Sequence, residues 1–433
     1  MSKFQAPRGT QDLFLDSMNE WQQVETRIRE LAKLYNMGEI RTPVFEHTEV
    51  FNRKNDSSDV VNKEMYTFKD NSDRSLTLKP EGTAGLIRSY VENKLYTNPE
   101  PLHKFYYITP AFRYERPQKG RMRIHHQFGV EFLGQKSAIV DVQAMLVGIH
   151  FVRSFGLKNV VLHINTLGDD DSRAAYREAL KQHFEPSIHE LCTDCHRRYE
   201  QNPLRILDCK VDAQHPSVVN APKMRDYLNK ASTEYFDQVL QLLDDFKIDY
   251  VVDPKLVRGL DYYTHTVFEL KNHTKDTGSQ DTLFGGGRYD HLVEEFEGPA
   301  ISSVGFGLGL ERFILMLKAQ GLLKAEVHPL DLYGLSLSES TQVEMLRIIE
   351  ALRSENISCD FDIANRSMKA QFKSADRFNA RFLLILGEDE QRNNTIRVKN
   401  SMTQQQVEIS QDDLIDYVKT QLSDKENRNE ENA

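Results

Sequence analysis

The chain has 433 residues, a net charge of −10 and four cysteines, a length that typical domain sizes divide into two or three domains. Cysteines only at 192, 195, 209 and 359 exclude the disulfide framework of a small secreted fold and fit a reducing compartment. The acidic balance excludes indiscriminate coating of nucleic acid; with no apolar run of about 18 residues and no apolar leader in MSKFQAPRGTQDLF, the chain reads as a soluble cytoplasmic protein away from membranes.

In chain order, the first predicted element is a helix in MNEWQQVETRIRELAKLYNMG. Trp21, Val24, Ile28, Leu31 and Leu34 recur at helical spacing, and the helix ends near Gly38. Strand-like segments follow in GEIRTPVFEHTEVF, YTFKD and SLTLKP, then a helix from Gly82 to about Leu95. KFYYITPAFRYER and HHQFGVEFLG read as two strands, residues 137–155 as a helix and 159–166 as a strand. From about 169 to 248 the texture becomes helical with polar, proline-bearing connections, as an inserted module would be. Beta character returns in DYVVDPKLVRGLDYYTHTVFEL, a turn-rich stretch covers 271–282, and LFGGGRYDHLV leads to SSVGFGLGLERFILML, a strand passing through glycines into a helix. The pattern predicts an α+β domain over 1–325 built on an antiparallel sheet. After a linker near AEVHPL, strands and helices alternate, which predicts an α/β domain over 326–421 and a disordered polar tail at 422–433.

Four stretches carry candidate chemistry, the first two overlapping. Residues 104–126 hold six lysines and arginines against one acid, Glu115, an island on which a polyanion can land. In 112-FRYERPQKGRMRIHHQFGVEFLG-134, Arg113 and Glu115 are two apart and Gln127 and Glu131 four apart, so on two strands each pair shares a face. A surface ladder of ion pairs is the ordinary alternative. In 302-SSVGFGLGLERF-313, Gly305, Gly307 and Gly309 leave room for a flat ring or phosphates, with Arg312 in the helix that follows; the spacing is neither the dinucleotide fingerprint nor the P-loop. Cys192, Cys195, His196 and Cys209 are residue types that ligate zinc, but the spacing is not decisive, and the adopted reading is free thiols with no metal.

Taken together, FRYER with its later arginine resembles motif 2 of class II aminoacyl-tRNA synthetases, GFGLGLERF resembles motif 3, and RTPVFEHTEVF resembles motif 1, the dimer-interface element. LVRGLDYYT and FGGGRYD resemble the two histidine-specific segments of the histidyl-tRNA synthetase family, and TLKPEGTAG, SMKAQFKSADR and LILGEDE extend the likeness over nearly the whole chain. The resemblance implies a catalytic domain, a helical insertion and a C-terminal anticodon-binding domain. It implies ligation of L-histidine to tRNA(His) through a histidyl-adenylate, with ATP and Mg²⁺ and a homodimer. Arg258 and Arg113 take the catalytic roles by this resemblance. Glu81, Thr83, Arg113, Gln127, Glu131, Arg258, Tyr262 and Tyr263 bind histidine, over a floor of Tyr289 and residues 285–287. Arg113, Glu115, Arg121, His125, Gly307, Gly309 and Arg312 bind ATP, and Arg116, Gln118 and Lys119 lie along the tRNA acceptor end. The match departs at Ile124 and His125, where a polar residue and phenylalanine are usual, and at His291 and Asn379, where glycine is usual. The departures at Ile124 and His125 keep open an alternative, namely a synthetase-like regulatory or RNA-binding protein with impaired chemistry.

Overall fold

The computed structural model describes residues 4–14, 16–52, 60–118, 120–273, 281–323 and 329–430. Lys119, most of the turn-rich 271–282 stretch and much of the expected linker fall outside them. The chain forms two compact units, Met1–Ala325 and Glu326–Ala433.

The first unit is built on an eight-stranded sheet. Its strands run in the order Gly38–Glu39, Leu102–Phe112, Ile124–Gly134, Ser302–Gly309, Thr282–Arg288, Thr264–Asn272, Val160–Thr166 and Tyr250–Val252. The middle is antiparallel, as expected, but the short strand at each edge pairs parallel, which makes the sheet mixed. The segment between the parallel partners Val160–Thr166 and Tyr250–Val252 is the insertion. It contains the helices Asp170–Phe184, Thr193–Gln201 and Lys230–Asp245 and several shorter turns of helix. Parallel neighbours need such a long crossover. Two of these helices start on side-chain caps: Asp169 accepts from the Ser172 amide at 3.0 Å and Asn229 from the Ser232 amide at 2.9 Å.

One face of the sheet is covered by the helices Asp16–Leu34, Ala138–Ser154 and Leu310–Ala319. Ala138–Ser154 is apolar almost all round and buries Val142, Met145, Ile149 and Phe151; Phe151 packs on Phe128 and Phe313 with ring centres 5.1 and 5.0 Å apart. Asp16–Leu34 buries Trp21, Val24, Ile28 and Leu31, at roughly 1.5–3 kcal/mol each before entropy. Leu34, expected on the same stripe, is 77% exposed. At about 100° per residue, repeated steps of three rotate it backwards off the buried face.

The second unit holds a five-stranded sheet in the order Cys359–Phe361, Leu332–Ser336, Phe382–Leu386, Thr395–Asn400 and Gln406–Ser410. The first three are parallel and the last two antiparallel additions. Helices Gln342–Ser354 and Leu414–Glu430 pack on one face, with Met345, Ile349, Leu414 and Val418 buried, and Met368–Arg377 packs on the other. Asn379 takes φ +49° just past that helix, a left-handed turn that asparagine tolerates. The last helix continues to Glu430 through a stretch expected to be disordered. Residues 422–430 contain no proline or glycine to stop it.

Candidate functional site

The strands Leu102–Phe112 and Ile124–Gly134 place Phe105 opposite Glu131 and Thr109 opposite Gln127. Alternation along the second strand sends Phe128, Val130 and Phe132, all fully buried, towards the helical layer. His125, Gln127 and Glu131 point the other way and line a cavity of about 560 Å³. On the neighbouring strand Gly305 lies opposite Glu131. A methyl group on Gly305 would collide with Glu131 Oε2, one on Gly307 with Gln127 Nε2, and one on Gly285 with the Arg258 guanidinium. The glycines make room as expected, but at these three positions the room is taken by the site's own side chains laid flat on the sheet. Gly309 has nothing within 4 Å above it. Of the expected floor, Gly285 and Tyr289 line the cavity.

Glu131 is the buried centre. Its Oε1 accepts from the Thr83 hydroxyl at 2.7 Å and the Tyr107 hydroxyl at 3.2 Å, and its Oε2 accepts from the Tyr289 hydroxyl. Burial pushes its carboxyl up to about 8 against the pull of those donors. Glu81 accepts from the amides of Thr83 and Ala84 at 2.6 and 2.8 Å, at the start of the helix Thr83–Glu92. Gln127 Oε1 accepts from the Gly82 amide at 3.0 Å, which ties that helix end to the sheet.

The loop containing LVRGLDYY is held from behind by the insertion. Arg205 donates to the Arg258 carbonyl at 2.7 Å, Arg173 to the Tyr263 and Asp261 carbonyls at 3.0 and 3.2 Å, and Asn202 to the Asp261 carboxylate at 2.9 Å. Tyr262 and Tyr263 therefore project inwards with ring centres 4.6 Å apart, and Tyr289 lies 5.5 Å from Tyr262. Burial raises the phenols of all three. Arg258 pairs with Glu269, and its guanidinium carbon lies 6.0 Å over the Tyr263 ring.

Arg113 and Glu115 do not share a strand face, because the strand ends at Phe112. The Tyr114 amide turns instead to the Glu64 carbonyl at 2.7 Å, and the Glu115 amide folds back to the Arg113 carbonyl at 2.7 Å. Both side chains nonetheless reach the cavity, with Arg113 Nε donating to the Pro80 carbonyl at 2.8 Å. Arg121 sits 3.4 Å from Glu115, and Arg312 donates to the Thr282 carbonyl at 3.4 Å. His125 lies among these cations; burial first, then Arg113, His126 and Arg312, lowers its imidazole to about 3, so it is neutral.

Glu81, Thr83, Arg113, Glu115, Arg121, His125, Gln127, Glu131, Arg258, Tyr262, Tyr263, Gly307, Gly309 and Arg312 thus share one cavity, with Gln118 on its lining. Arg116 is exposed and lies off the lining, and Lys119 lies outside the described residues. His291 is away from the cavity, 3.1 Å from Asp170. Sequence reasoning missed Asp208, Lys210, Glu269, Lys271 and Glu311. Glu269 and Lys271 were legible as alternate residues of one strand; Asp208 and Lys210 come from an irregular stretch without period. Glu311 accepts from the His126 amide at 2.9 Å and meets its ring at 3.0 Å.

A sequence profile described as histidyl-tRNA synthetase matches residues 9–313, and one described as anticodon binding domain matches 331–421. The histidine–tRNA ligase of Oceanobacillus iheyensis is 47% identical over 96% of this chain and 98% of its own length, and that of a Geobacillus species 48% over 97% and 100%. The crystal structure of apo S. aureus histidyl-tRNA synthetase superposes with a TM-score of 0.82 at 42% identity, covering 96% of this chain and all of its own. By sequence and by fold, the chain belongs to the histidyl-tRNA synthetase family.

Proposed function

We infer that the chain ligates L-histidine to tRNA(His) in two steps: the histidine carboxylate attacks the α-phosphate of ATP, giving histidyl-adenylate and pyrophosphate, and the histidyl group then passes to the 3′-terminal adenosine. The observation that carries this reading is one cavity lined both by a buried, hydroxyl-bonded carboxyl, Glu131, and by four arginines, Arg113, Arg121, Arg258 and Arg312. A carboxylate nucleophile is already ionised at neutral pH and needs no general base. It needs two anions aligned and the charge on phosphorus neutralised. Arg258 and Arg113 supply that at the α-phosphate and Arg312 at the γ-phosphate.

Glu131 and Tyr263 serve the two imidazole nitrogens, Tyr262 lines the pocket, and Glu81, Thr83 and Gln127 hold the α-amino group. A pocket whose polar groups would be left unpaired rejects apolar amino acids. Glu115, whose Oε2 faces Arg121 at 3.4 Å without a hydrogen bond, accepts from the adenine amine, while His125 stacks on the ring between Arg121 and the open backbone at Gly309. Mg²⁺ enters with ATP as part of the substrate. It needs only one or two carboxylates besides phosphates, and Asp281 and Glu269, whose charges both act on Arg312, fit that need. Arg116, Gln118 and Lys119 meet the tRNA acceptor end, and the C-terminal unit meets the anticodon. A homodimer through the motif 1-like segment is supported by Val44 and Phe45, 43% and 47% exposed. Free cysteines fit a cytoplasmic setting, and among the described residues no helix is long and apolar enough to cross a membrane.

The test is histidine-dependent ATP–pyrophosphate exchange, followed by charging of tRNA(His). Exchange that appears with L-histidine alone among the amino acids is the expected result; exchange no higher than without histidine overturns the reading. Against the regulatory alternative, which rests on the departures at Ile124 and His125, stand the relatives named histidine–tRNA ligase over nearly the full chain and the anticodon-binding match at 331–421.

A further inference from the structure

The insertion carries a second cluster of side chains of metal-ligating type, apart from the main cavity. Cys192 caps the helix Thr193–Gln201 and Cys195 lies in its first turn, while Cys209 and Asp212 follow the short helical turn Pro203–Ile206. One ligand atom from each of Cys192, Cys195, Cys209 and Asp212 lies within 4.8 Å of all the others. Cys192 Sγ is 3.7 Å from Cys209 Sγ, and Cys209 Sγ is 3.5 Å from Asp212 Oδ2. Tetrahedral bonds of about 2.3 Å to sulfur and about 2.1 Å to oxygen put sulfurs roughly 3.8 Å apart and sulfur and oxygen roughly 3.6 Å apart. Both measured edges already have those lengths.

The surrounding backbone holds the ligands in place. The Cys192 amide donates to Asp212 Oδ2 at 3.0 Å, and the Asp212 amide reaches Cys209 Sγ at 3.4 Å, the kind of outer contact that orients metal ligands. In sequence the four form two pairs, Cys192-x-x-Cys195 and Cys209-x-x-Asp212, the paired spacing of zinc knuckles with a carboxylate in the fourth place. His196, next to Cys195 in sequence, is not part of the group that lies together.

We propose that Cys192, Cys195, Cys209 and Asp212 bind one zinc ion in a closed structural site. Three sulfurs favour a soft or borderline ion over calcium or magnesium, and four protein ligands leave no open position for chemistry. A disulfide between Cys192 and Cys209 would leave Cys195 and Asp212 without a common role. The position of the site connects it to the main cavity. Cys209 lies between Asp208 and Lys210, which line that cavity, and Arg205, four residues upstream, holds the Arg258 carbonyl. The ion fastens the loop that braces the catalytic arginine.

The experiment uses the full, untagged chain, purified in reductant without chelator after growth with zinc, and measures metal by mass spectrometry after desalting. About one zinc per chain is expected, falling below about a tenth in Cys209→Ser. Because a ligand variant can fail to fold, wild-type protein is also loaded with Co²⁺. A thiolate-to-cobalt charge-transfer band with the intense visible bands of a tetrahedral ion is the expected spectrum. Folded, reduced wild-type protein that holds less than about a tenth of an equivalent after incubation with excess zinc overturns the proposal. So does an octahedral cobalt spectrum without charge transfer, or an Asp212→Ala variant whose zinc affinity equals that of wild type in competition with a chromophoric chelator.

Discussion

Replacing Arg258 with alanine tests the proposed chemistry most directly, because the structure separates its catalytic from its structural effect. The guanidinium lies in the space Gly285 leaves, paired with Glu269, and its Nε is buried with no hydrogen-bond partner, a donor already in place for an incoming oxyanion. Removing one such preorganised contact costs about 2.7–4 kcal/mol, or roughly 10²–10³ in rate. Stranding a buried partner would cost stability as well, about 3–5 kcal/mol for a fully isolated ion. Glu269 is not stranded: Thr282 still donates to it at 3.1 Å and Lys271 remains 3.7 Å away. Arg258→Ala is therefore expected to lose two to three orders of magnitude in pyrophosphate exchange while its urea midpoint shifts by much less than the orphaned-ion figure implies. Initial exchange rates at saturating ATP over a histidine titration, with denaturation curves on the same preparations, make the measurement. A folded variant within tenfold of wild type, or a deficit that disappears at high histidine, refutes the role given to Arg258.

Glu131→Gln is expected to raise KM for histidine by roughly 10–150-fold, from the loss of about 1.5–3 kcal/mol in a charged hydrogen bond, with KM for ATP unchanged; an equal rise for both substrates contradicts the assignment. With the free-pocket carboxyl raised to about 8, the accepting carboxylate forms as pH rises, so histidine binding should strengthen towards pH 8 in wild type relative to the glutamine variant. The same shift adds stability that is full below the unfolded value, about 4.3, and is lost as pH rises through about 8; equal pH dependence of unfolding in the two proteins would contradict it. His125→Phe is expected to lower KM for ATP about three- to tenfold, since aromatic stacking on a base is worth about 1–3 kcal/mol and a neutral imidazole stacks less well than phenylalanine; an unchanged or higher KM removes the stacking role. Asp141→Ala should destabilise the first unit by about 1–3 kcal/mol, because it leaves the buried Thr266 hydroxyl without its acceptor, whereas the fully buried Arg288 keeps Asp290 at 3.4 Å and is not stranded. A shift under about 1 kcal/mol in urea would show that the pair is dispensable.

Where side-chain order follows backbone period, the sequence was readable. His125, Gln127 and Glu131 alternate on one strand, and Trp21 to Leu31 stripe one helix. The same arithmetic failed at Arg113 and Glu115, because a contact from Tyr114 to Glu64, 50 residues away, ends the strand early. FGGGRYD was expected to supply the pocket floor; Tyr289 lines the cavity, but Arg288, one residue earlier, faces the opposite side of the sheet and ion-pairs in the core. The Tyr107 and Thr83 contacts to Glu131, and the bracing of Arg258 by Arg205, join residues 24 to 53 apart. No local spacing encodes such pairs. Asp208, Lys210 and Asp212 went unread for a related reason: the segment around Cys209 is neither helix nor strand, so its side chains carry no period to reveal which way they point.

The Glu131 carboxyl rests directly on main chain, since no side chain separates it from Gly305. Main-chain position is shared by a whole strand and cannot be moved by altering one codon. A substitution at Gly305 can therefore only add atoms beneath Glu131, and room at this end of the cleft opens only by shifting the strand Ser302–Gly309 or by shortening Glu131 itself.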